Sequence, residues 1–161
     1  MIYHGGLLRF FHGFRIKEVL EAKYHLPVMA LNDGKAAALA ELATGHLQGV
    51  TNGAALVLGS GLGGGFIING KLFQGSHFQA GELTFLLPVQ MEKVDPSLMR
   101  GMTLSAVGLI TEVNEVLGNS DLKDGLVAFK AINAGDKTVY SLFESYCRNL
   151  AITILNLQTI F

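Results

Sequence analysis

The chain has 161 residues, of which 50% are hydrophobic and 16% are charged, a composition that supplies a core and excludes a disordered chain. Its 12 basic and 13 acidic residues are scattered, so no basic stripe is present to bind nucleic acid through this segment. No apolar run approaches the roughly 18 residues of a membrane span, and the single cysteine excludes an intrachain disulfide, so we expect a cytoplasmic protein without a membrane partner.

The first predicted elements are a helix, a strand and a second helix. Residues 14–25 alternate apolar and charged positions at helical spacing, which predicts a short amphipathic helix. Residues 27–31 are an apolar run between a proline and the turn sequence Asn-Asp-Gly, a pattern typical of a buried strand. The alanine-rich segment 35–49 has high helix propensity and predicts the second helix.

A small β-meander is predicted next. Residues 51–59 form its first strand and residues 66–69 its hairpin partner. An Asn-Gly dipeptide, a preferred turn sequence, then leads into a third short strand over residues 71–73. The meander encloses a glycine-rich stretch.

The C-terminal part of the chain predicts three helices, over residues 102–117, 121–133 and 136–158. The last helix has one apolar face, at three- and four-residue steps: Val139, Phe143, Tyr146, Leu150, Ile154 and Leu157. These elements predict an α/β fold with a small β-meander and several C-terminal helices. The last helix reaches the chain end without a C-cap or a polar tail, so we expect the chain to be part of a larger domain.

The glycine-rich stretch, residues 59–65, holds five glycines between two predicted strands. Glycine lets backbone N–H groups approach a ligand without a Cβ in the way, which is how a chain wraps phosphate oxygens. The stretch is not a Walker loop, because no Lys-Ser or Lys-Thr closes it, and not a dinucleotide fingerprint, because a hairpin follows. A glycine-rich hairpin turn or bulge is the alternative interpretation.

Two carboxylates are candidate functional groups. Asp33 lies at a strand-to-helix junction, where it can cap the helix or take the proton from a hydroxyl that attacks a phosphoryl group. Glu82 can be a solvated surface residue or an acceptor for the vicinal hydroxyls of a sugar. Taken one at a time, the two residues leave these alternatives open.

No metal site is predicted. Cys147, near the apolar face of the last helix, is interpreted as a packing residue. The five histidines show no metal-ligand spacing and are interpreted as surface or capping residues: His4, His12, His25, His46 and His77.

Three ordered segments carry a resemblance to a known family: LPVMALNDGKAAALAEL, AALVLGSGLGGGFIINGKLFQGS and QAGEL. In this order and spacing they resemble the ROK family of sugar kinases and sugar-responsive repressors, over residues 14–87. The resemblance implies an actin-like (ribonuclease H-like) sugar kinase fold, in which ATP and sugar meet in the cleft between two lobes. Residues 1–31 would then end the N-terminal lobe, and residues 32–161 would form most of the C-terminal lobe.

The resemblance also implies roles for individual residues. Asp33 corresponds to the catalytic base, and Asn32 and Glu82 to residues that bind the sugar. ATP and Mg²⁺ are the implied cofactors, and a homodimer is the implied assembly. The second phosphate loop of the family corresponds to Gly59, Ser60, Gly61, Gly63 and Gly64.

The sequence departs from the family pattern in several places. Family kinases usually have a histidine three residues after the glutamate that corresponds to Glu82, and here that position is Phe85. The sugar contact of that histidine is therefore not carried over. The cysteine-rich zinc segment is absent, and zinc is not expected. The Asp-x-Gly-Gly-Thr loop that holds phosphates and magnesium has no counterpart before Asp33, and the adenosine-binding strand and turn would fall beyond Phe161.

The leading hypothesis is that the parent protein phosphorylates a hexose or N-acyl-hexosamine with ATP, as a glucokinase-like ROK sugar kinase. The intact Asn32-Asp33 pair and the glycine-rich stretch favour it. One alternative is the sugar-sensing domain of a ROK-type transcriptional repressor, with its DNA-binding segment outside this chain. Another is an inactive binding or dimerising fragment. The apolar faces of the helices after residue 97 favour a homodimer.

Overall fold

The computed structural model describes residue 2, residues 8–87 and residues 99–160, and it divides the chain into two compact units, Met1–Asn32 and Asp33–Phe161. The first unit contains a 3₁₀ turn, Arg9–Phe11, and helix α1, Ile16–Tyr24. Helix α1 confirms the predicted amphipathic helix. It ends at His25, which adopts the left-handed conformation and donates its backbone N–H to the Glu21 carbonyl.

The predicted buried strand over residues 27–31 is wrong. These residues have no regular secondary structure, and Met29 is 96% exposed. The Val28 N–H is satisfied by the Glu21 carboxylate at 3.1 Å. An extended apolar run becomes a strand only when a second strand accepts its hydrogen bonds, and no strand among the described residues pairs with this one.

The second unit begins with helix α2, Asp33–Thr44, and continues into the antiparallel sheet β1-β2-β3. The strands are β1, Gly53–Leu58, β2, Leu62–Ile68, and β3, Lys71–Phe73. The predicted second helix and the β-meander are therefore confirmed. The glycine loop is shorter than predicted, because β2 starts at Leu62 paired with Leu58, which leaves a turn of residues 59–61.

Helices fill the rest of the described chain after a 3₁₀ turn, Leu83–Phe85. The predicted helix over residues 102–117 is two helices, because the first ends at its C-cap Leu104 and Ser105 begins the second by accepting the Gly108 N–H at 2.9 Å. The helices are α3, Arg100–Thr103, α4, Ala106–Leu117, α5, Gly125–Asn133, and α6, Lys137–Leu157. Among the described residues, none of the helices is long and apolar enough to cross a membrane.

Different elements pack against the two faces of strand β2. Its even-numbered side chains, Leu62 and Phe66, join Leu83, Leu104 and Leu157 in one buried cluster. Its odd-numbered positions face helix α2, where Gly65 meets Ala38. Because successive residues of a strand point to opposite faces, the central strand is enclosed by α2 on one side and by the later helices on the other.

A second buried cluster holds the C-terminal helices together. Tyr146 packs against both clusters, and its hydroxyl donates to the Leu104 carbonyl at 3.2 Å. The face predicted for the last helix is shifted, since Thr153 is buried and Ile154 is exposed. Cys147 is exposed, so the packing role predicted for it is wrong. The second cluster consists of Leu109, Val113, Ala128, Ile132 and Val139.

Candidate functional site

The N-terminus of helix α2 carries Asp33. This residue is the first of the helix, it is exposed, and its Oδ1 accepts the Gly34 N–H at 2.8 Å. A carboxylate here satisfies a helix N–H that has no partner within the helix and is stabilised by the helix dipole. Asp33 therefore contacts a free N–H of the first helical turn, and the same side chain has the exposure that a base requires.

Close backbone packing places Asp33 beside strand β2. A Cβ built on Gly34 would lie 2.6 Å from the Gly64 nitrogen and 2.9 Å from its carbonyl oxygen. No side chain larger than hydrogen fits at Gly34 without moving β2, so the first turn of α2 lies directly on the strand. Gly64, one of the glycines predicted to contact phosphate, is here in contact with the backbone of α2.

The turn at residues 59–61 is held by its own backbone and by helix α4. The Gly59 N–H donates to the Gly61 carbonyl at 3.0 Å, and the Gly59 carbonyl accepts the Ala106 N–H at 2.9 Å. The N-terminus of α4, with its positive dipole end, thus lies against the turn. Among the hydrogen bonds within residues 8–87 and 99–160, none is donated by the Ser60 or Gly61 amide.

Gly63 and Gly64 occupy a different position from the turn. Both lie in β2, paired with Val57 and Leu56 respectively. A Cβ on Gly64 would lie 2.7 Å from the Ala55 carbonyl oxygen, so the local geometry requires glycine there for packing. Of the five residues predicted to contact phosphate, Gly59, Ser60 and Gly61 lie in the turn, where Ser60 is exposed and Gly61 lies close to the Gly101 carbonyl.

Glu82 reaches the same region from the other side of the chain. It follows Gly81, which has a φ of +83° and whose added Cβ would lie 2.9 Å from the Gly65 Cα. Glu82 is half-buried, and this burial raises the pKa of its carboxyl group; Lys35 lowers that pKa and Asp33 raises it. The close approach of Gly34 to Gly64 and of Gly81 to Gly65 brings Asp33, Lys35 and Glu82 into one neighbourhood, which is why their charges influence the pKa of Glu82.

Lys35 is the member of this group that the sequence reasoning missed. It is only 3% exposed, and its Nζ donates a hydrogen bond to the Phe78 carbonyl. Lysine is rarely this buried unless its ammonium group is paired. Its position in the first turn of α2, two residues after Asp33, was the one available signal.

The other predicted residues are placed less directly. Asn32 closes the first unit and is exposed. Phe85 lies on the 3₁₀ turn with 55% of its surface exposed. Thr84 before it donates its hydroxyl to the Leu62 carbonyl at 2.8 Å. Within the described parts of the chain, no three His, Cys, Asp or Glu side chains are grouped as a metal site.

The chain belongs to the ROK family, whose pattern matches residues 8–161. The match extends well beyond residues 14–87, the part that carries the sequence resemblance, and includes the C-terminal helices. The α/β architecture is therefore that of the actin-like ROK sugar kinase fold.

Relatives of known structure and name agree with this assignment. The Lmo2764 protein from Listeria monocytogenes superposes with a TM-score of 0.85 at 30% identity, over 98% of this chain and 55% of that one. A ROK family glucokinase from Streptomyces griseus, in complex with glucose and AMPPNP, gives a TM-score of 0.73 at 26% identity, over 90% and 52%. A β-glucoside kinase of L. monocytogenes is 42% identical over 86 residues, 53% of this chain and 29% of the relative. The chain thus spans about half or less of the length of these relatives.

Proposed function

We propose that the protein to which this chain belongs is a sugar kinase that transfers the γ-phosphoryl group of ATP to a hydroxyl of a hexose or N-acyl-hexosamine. The observation that carries the proposal is the grouping of Asp33 and Glu82 next to strand β2, the strand that directly follows the 59–61 turn. A base, a hydroxyl acceptor and a phosphate-binding turn are the parts that phosphoryl transfer to an alcohol needs. The kinases among the relatives support the same class of reaction.

In this proposal Asp33 is the general base. Its exposed carboxylate accepts the proton of the sugar hydroxyl while the hydroxyl oxygen forms a bond to the γ-phosphorus. The bond between the γ-phosphorus and the bridging oxygen breaks, and ADP leaves with that electron pair. Asn32 and Glu82 are proposed to hold neighbouring sugar hydroxyls, so that the reacting oxygen is oriented towards the nucleotide.

The 59–61 turn is proposed to bind phosphate oxygens. The Ser60 and Gly61 amides point to no described protein acceptor, and the α4 N-terminus behind them favours negative charge. Magnesium in kinases is usually bound by one or two carboxylates together with the substrate phosphates. We expect Mg²⁺ to enter with ATP in this way.

A coupled assay of ADP release tests the proposed function on the full reading frame. The panel contains glucose, β-glucosides and N-acyl-hexosamines, each with ATP and magnesium. We expect that with one class of sugar the protein produces ADP and sugar phosphate in equal amounts. If a sugar binds tightly and no ADP is released, the sensing domain of a repressor becomes the better assignment.

Two further properties remain proposals. The cytoplasmic location follows from the single cysteine and the absence of a long apolar run in the sequence. A homodimer is proposed from the exposed apolar side chains of the C-terminal helices, such as Leu126 and Leu155. Sedimentation of the full-length protein measures the assembly directly.

A further inference from the structure

A nine-residue loop, residues 74–82, connects strand β3 to the 3₁₀ turn and ends with Glu82. Its two ends are joined by the Ala80 N–H, which donates to the Gln74 carbonyl at 3.2 Å. The Glu82 N–H donates to the Gln79 carbonyl at 3.0 Å. At the tip, Phe78 has a φ of +58°, an uncommon conformation for a residue with a side chain, and its ring is exposed.

Lys35 of helix α2 contacts the tip of this loop. Its side chain is buried, starts from the first turn of α2 and donates from Nζ to the carbonyl of Phe78. Burying an ammonium group is costly unless it is hydrogen-bonded. The Lys35 ammonium group therefore favours loop conformations in which the Phe78 carbonyl stays within hydrogen-bonding distance. The ring of Phe78 is mostly exposed and contributes little packing, whereas the Lys35 hydrogen bond ties the tip directly to helix α2.

We propose that Lys35 is a positioning residue that holds the 74–82 loop, and with it Glu82, against the turn of helix α2 that carries Asp33. Glu82 is thereby kept at a set place relative to the base. The second anchor of the loop is Gly81 on Gly65, and it acts on the same end of the loop. Together they fix both the tip and the end of the loop on the α2–β2 pair.

The charge of Lys35 adds an electrostatic effect to this mechanical one. Burial raises the pKa of Glu82, and the ammonium group of Lys35 lowers it, opposing the effect of burial. Asp33 on the same helix raises it further. Strand β2 and the 3₁₀ turn after Glu82 carry no titratable side chain, whereas the loop itself carries His77 and helix α3, which contacts the 3₁₀ turn, carries Arg100. Of these cationic or titratable groups and Lys35, Lys35 is the one whose charge lowers the pKa of Glu82 and so favours its ionised, hydroxyl-accepting form.

Amide hydrogen exchange of the full-length protein tests the proposal with Lys35→Met, which keeps the unbranched apolar part of the side chain and removes the ammonium group. We expect the Ala80 and Glu82 amides to exchange about tenfold to hundredfold faster, as loss of a charged hydrogen bond predicts. The β1–β2 amides should keep their wild-type rates. Unchanged exchange at residues 78–82 would overturn the proposal, and so would equal loosening of α2, β2 and the loop.

Phe78→Ala is the matched control, because it removes the exposed ring and keeps the carbonyl that Lys35 binds. We expect its loop amides to keep protection close to wild type. A ¹³C titration of the Glu82 carboxyl group gives a readout that a purely structural role would not change. Its pKa should rise in Lys35→Met and stay at the wild-type value in Phe78→Ala; no rise in Lys35→Met contradicts the electrostatic part.

A kinetic measurement on the full-length protein extends the test, and it alone rests on the proposed kinase function. In Lys35→Met the acid limb of kcat/KM for the sugar should move to higher pH, while the KM for ATP stays near the wild-type value. An unmoved acid limb in an active enzyme counts against the proposal. If the wild-type protein phosphorylates no sugar, the proposed function fails, and the exchange and titration results still decide the role of Lys35.

Discussion

Gly65 of strand β2 and Ala38 of helix α2 pack so closely that a Cβ added to Gly65 would lie 2.7 Å from the Ala38 Cβ. The same added atom would lie 3.1 Å from the Lys35 Cα. Real Cβ contacts of this kind are longer, so the missing side chain at Gly65 sets the distance between helix and sheet. That distance also places Asp33 and Lys35, because both are carried by the first turn of α2.

Gly65→Ala should therefore destabilise the protein. The added methyl group forces α2 away from β2, an overpacking effect that costs about 1–3 kcal/mol. A loss of that size lowers the melting temperature by about 2–4 °C per kcal/mol for a chain of this length. Thermal unfolding followed by circular dichroism measures it. Gly125→Ala is the control, because its Cβ would meet only Ile110 at an ordinary 3.5 Å, and a melting temperature equal to or slightly above that of the wild type is expected there.

Asp33→Asn separates the capping role of Asp33 from its proposed role as base. Asparagine caps a helix about as well as aspartate, so the melting temperature should stay near wild type. The turnover number should fall about 10²- to 10⁴-fold, because the amide cannot accept the hydroxyl proton.

The matched control for that variant is Asp136→Asn, at the N-cap of α6, where the carboxylate accepts the Thr138 and Val139 N–H groups. It makes the same chemical change at another helix start, outside the proposed site. Wild-type turnover is expected. Equal turnover in the Asp33 variant and the wild type would remove Asp33 from the reaction.

Glu82→Gln should change stability in a pH-dependent way. Burial holds the folded-state pKa of Glu82 above the ordinary value of 4.5, so its ionisation costs stability as pH rises through the folded pKa. Below pH 4.5 the residue is protonated in both states, and variant and wild type should unfold alike. At neutral pH the variant should be slightly more stable, by a melting shift of a few degrees at most, and should bind the sugar more weakly. A stability difference that is the same at all pH values would contradict this origin.

Ser105→Ala should loosen the junction between the 59–61 turn and helix α4. The hydroxyl that accepts the Gly108 N–H is lost, at a cost of about 0.5–2 kcal/mol. Because the first N–H of α4 also holds the Gly59 carbonyl, we expect the KM for ATP to rise more than the KM for the sugar.

Ser141→Ala is the control for the junction, since its exposed hydroxyl donates only to the Thr138 carbonyl within α6. It should leave both the melting temperature and the KM for ATP unchanged. If the Ser105 variant has a lower melting temperature but the wild-type KM for ATP, the junction between the turn and α4 does not affect nucleotide binding.

Local patterns predicted much of the fold. Helices α1, α2, α5 and α6 and the three-stranded meander lie close to where periodicity and turn residues place them, because each depends on neighbours within a few residues. The family resemblance was readable for the same reason, since its three segments are short and ordered. Membership of the ROK family confirms it and extends it to the helices after residue 100.

Errors arose where the outcome depends on distant partners. Residues 27–31 have a strand pattern, and they lack a described neighbouring strand to pair with. The helix predicted from residue 102 is interrupted because Ser105 uses its side chain as a cap, a local competition that helical propensity does not register.

Sequence pattern was enough to identify the unusual residues: a run of glycines, an aspartate at a helix start and a glutamate after a glycine. How these residues act on one another depends on the folded structure. Gly34, Gly64, Gly65 and Gly81 bring α2, β2 and the 74–82 loop into backbone contact. That contact groups Asp33, Glu82 and the buried Lys35, which are separated in the chain. The pattern of residues along the chain reflects local conformational preferences. The burial of a side chain and its interaction with other charges depend instead on which surfaces meet when the chain folds.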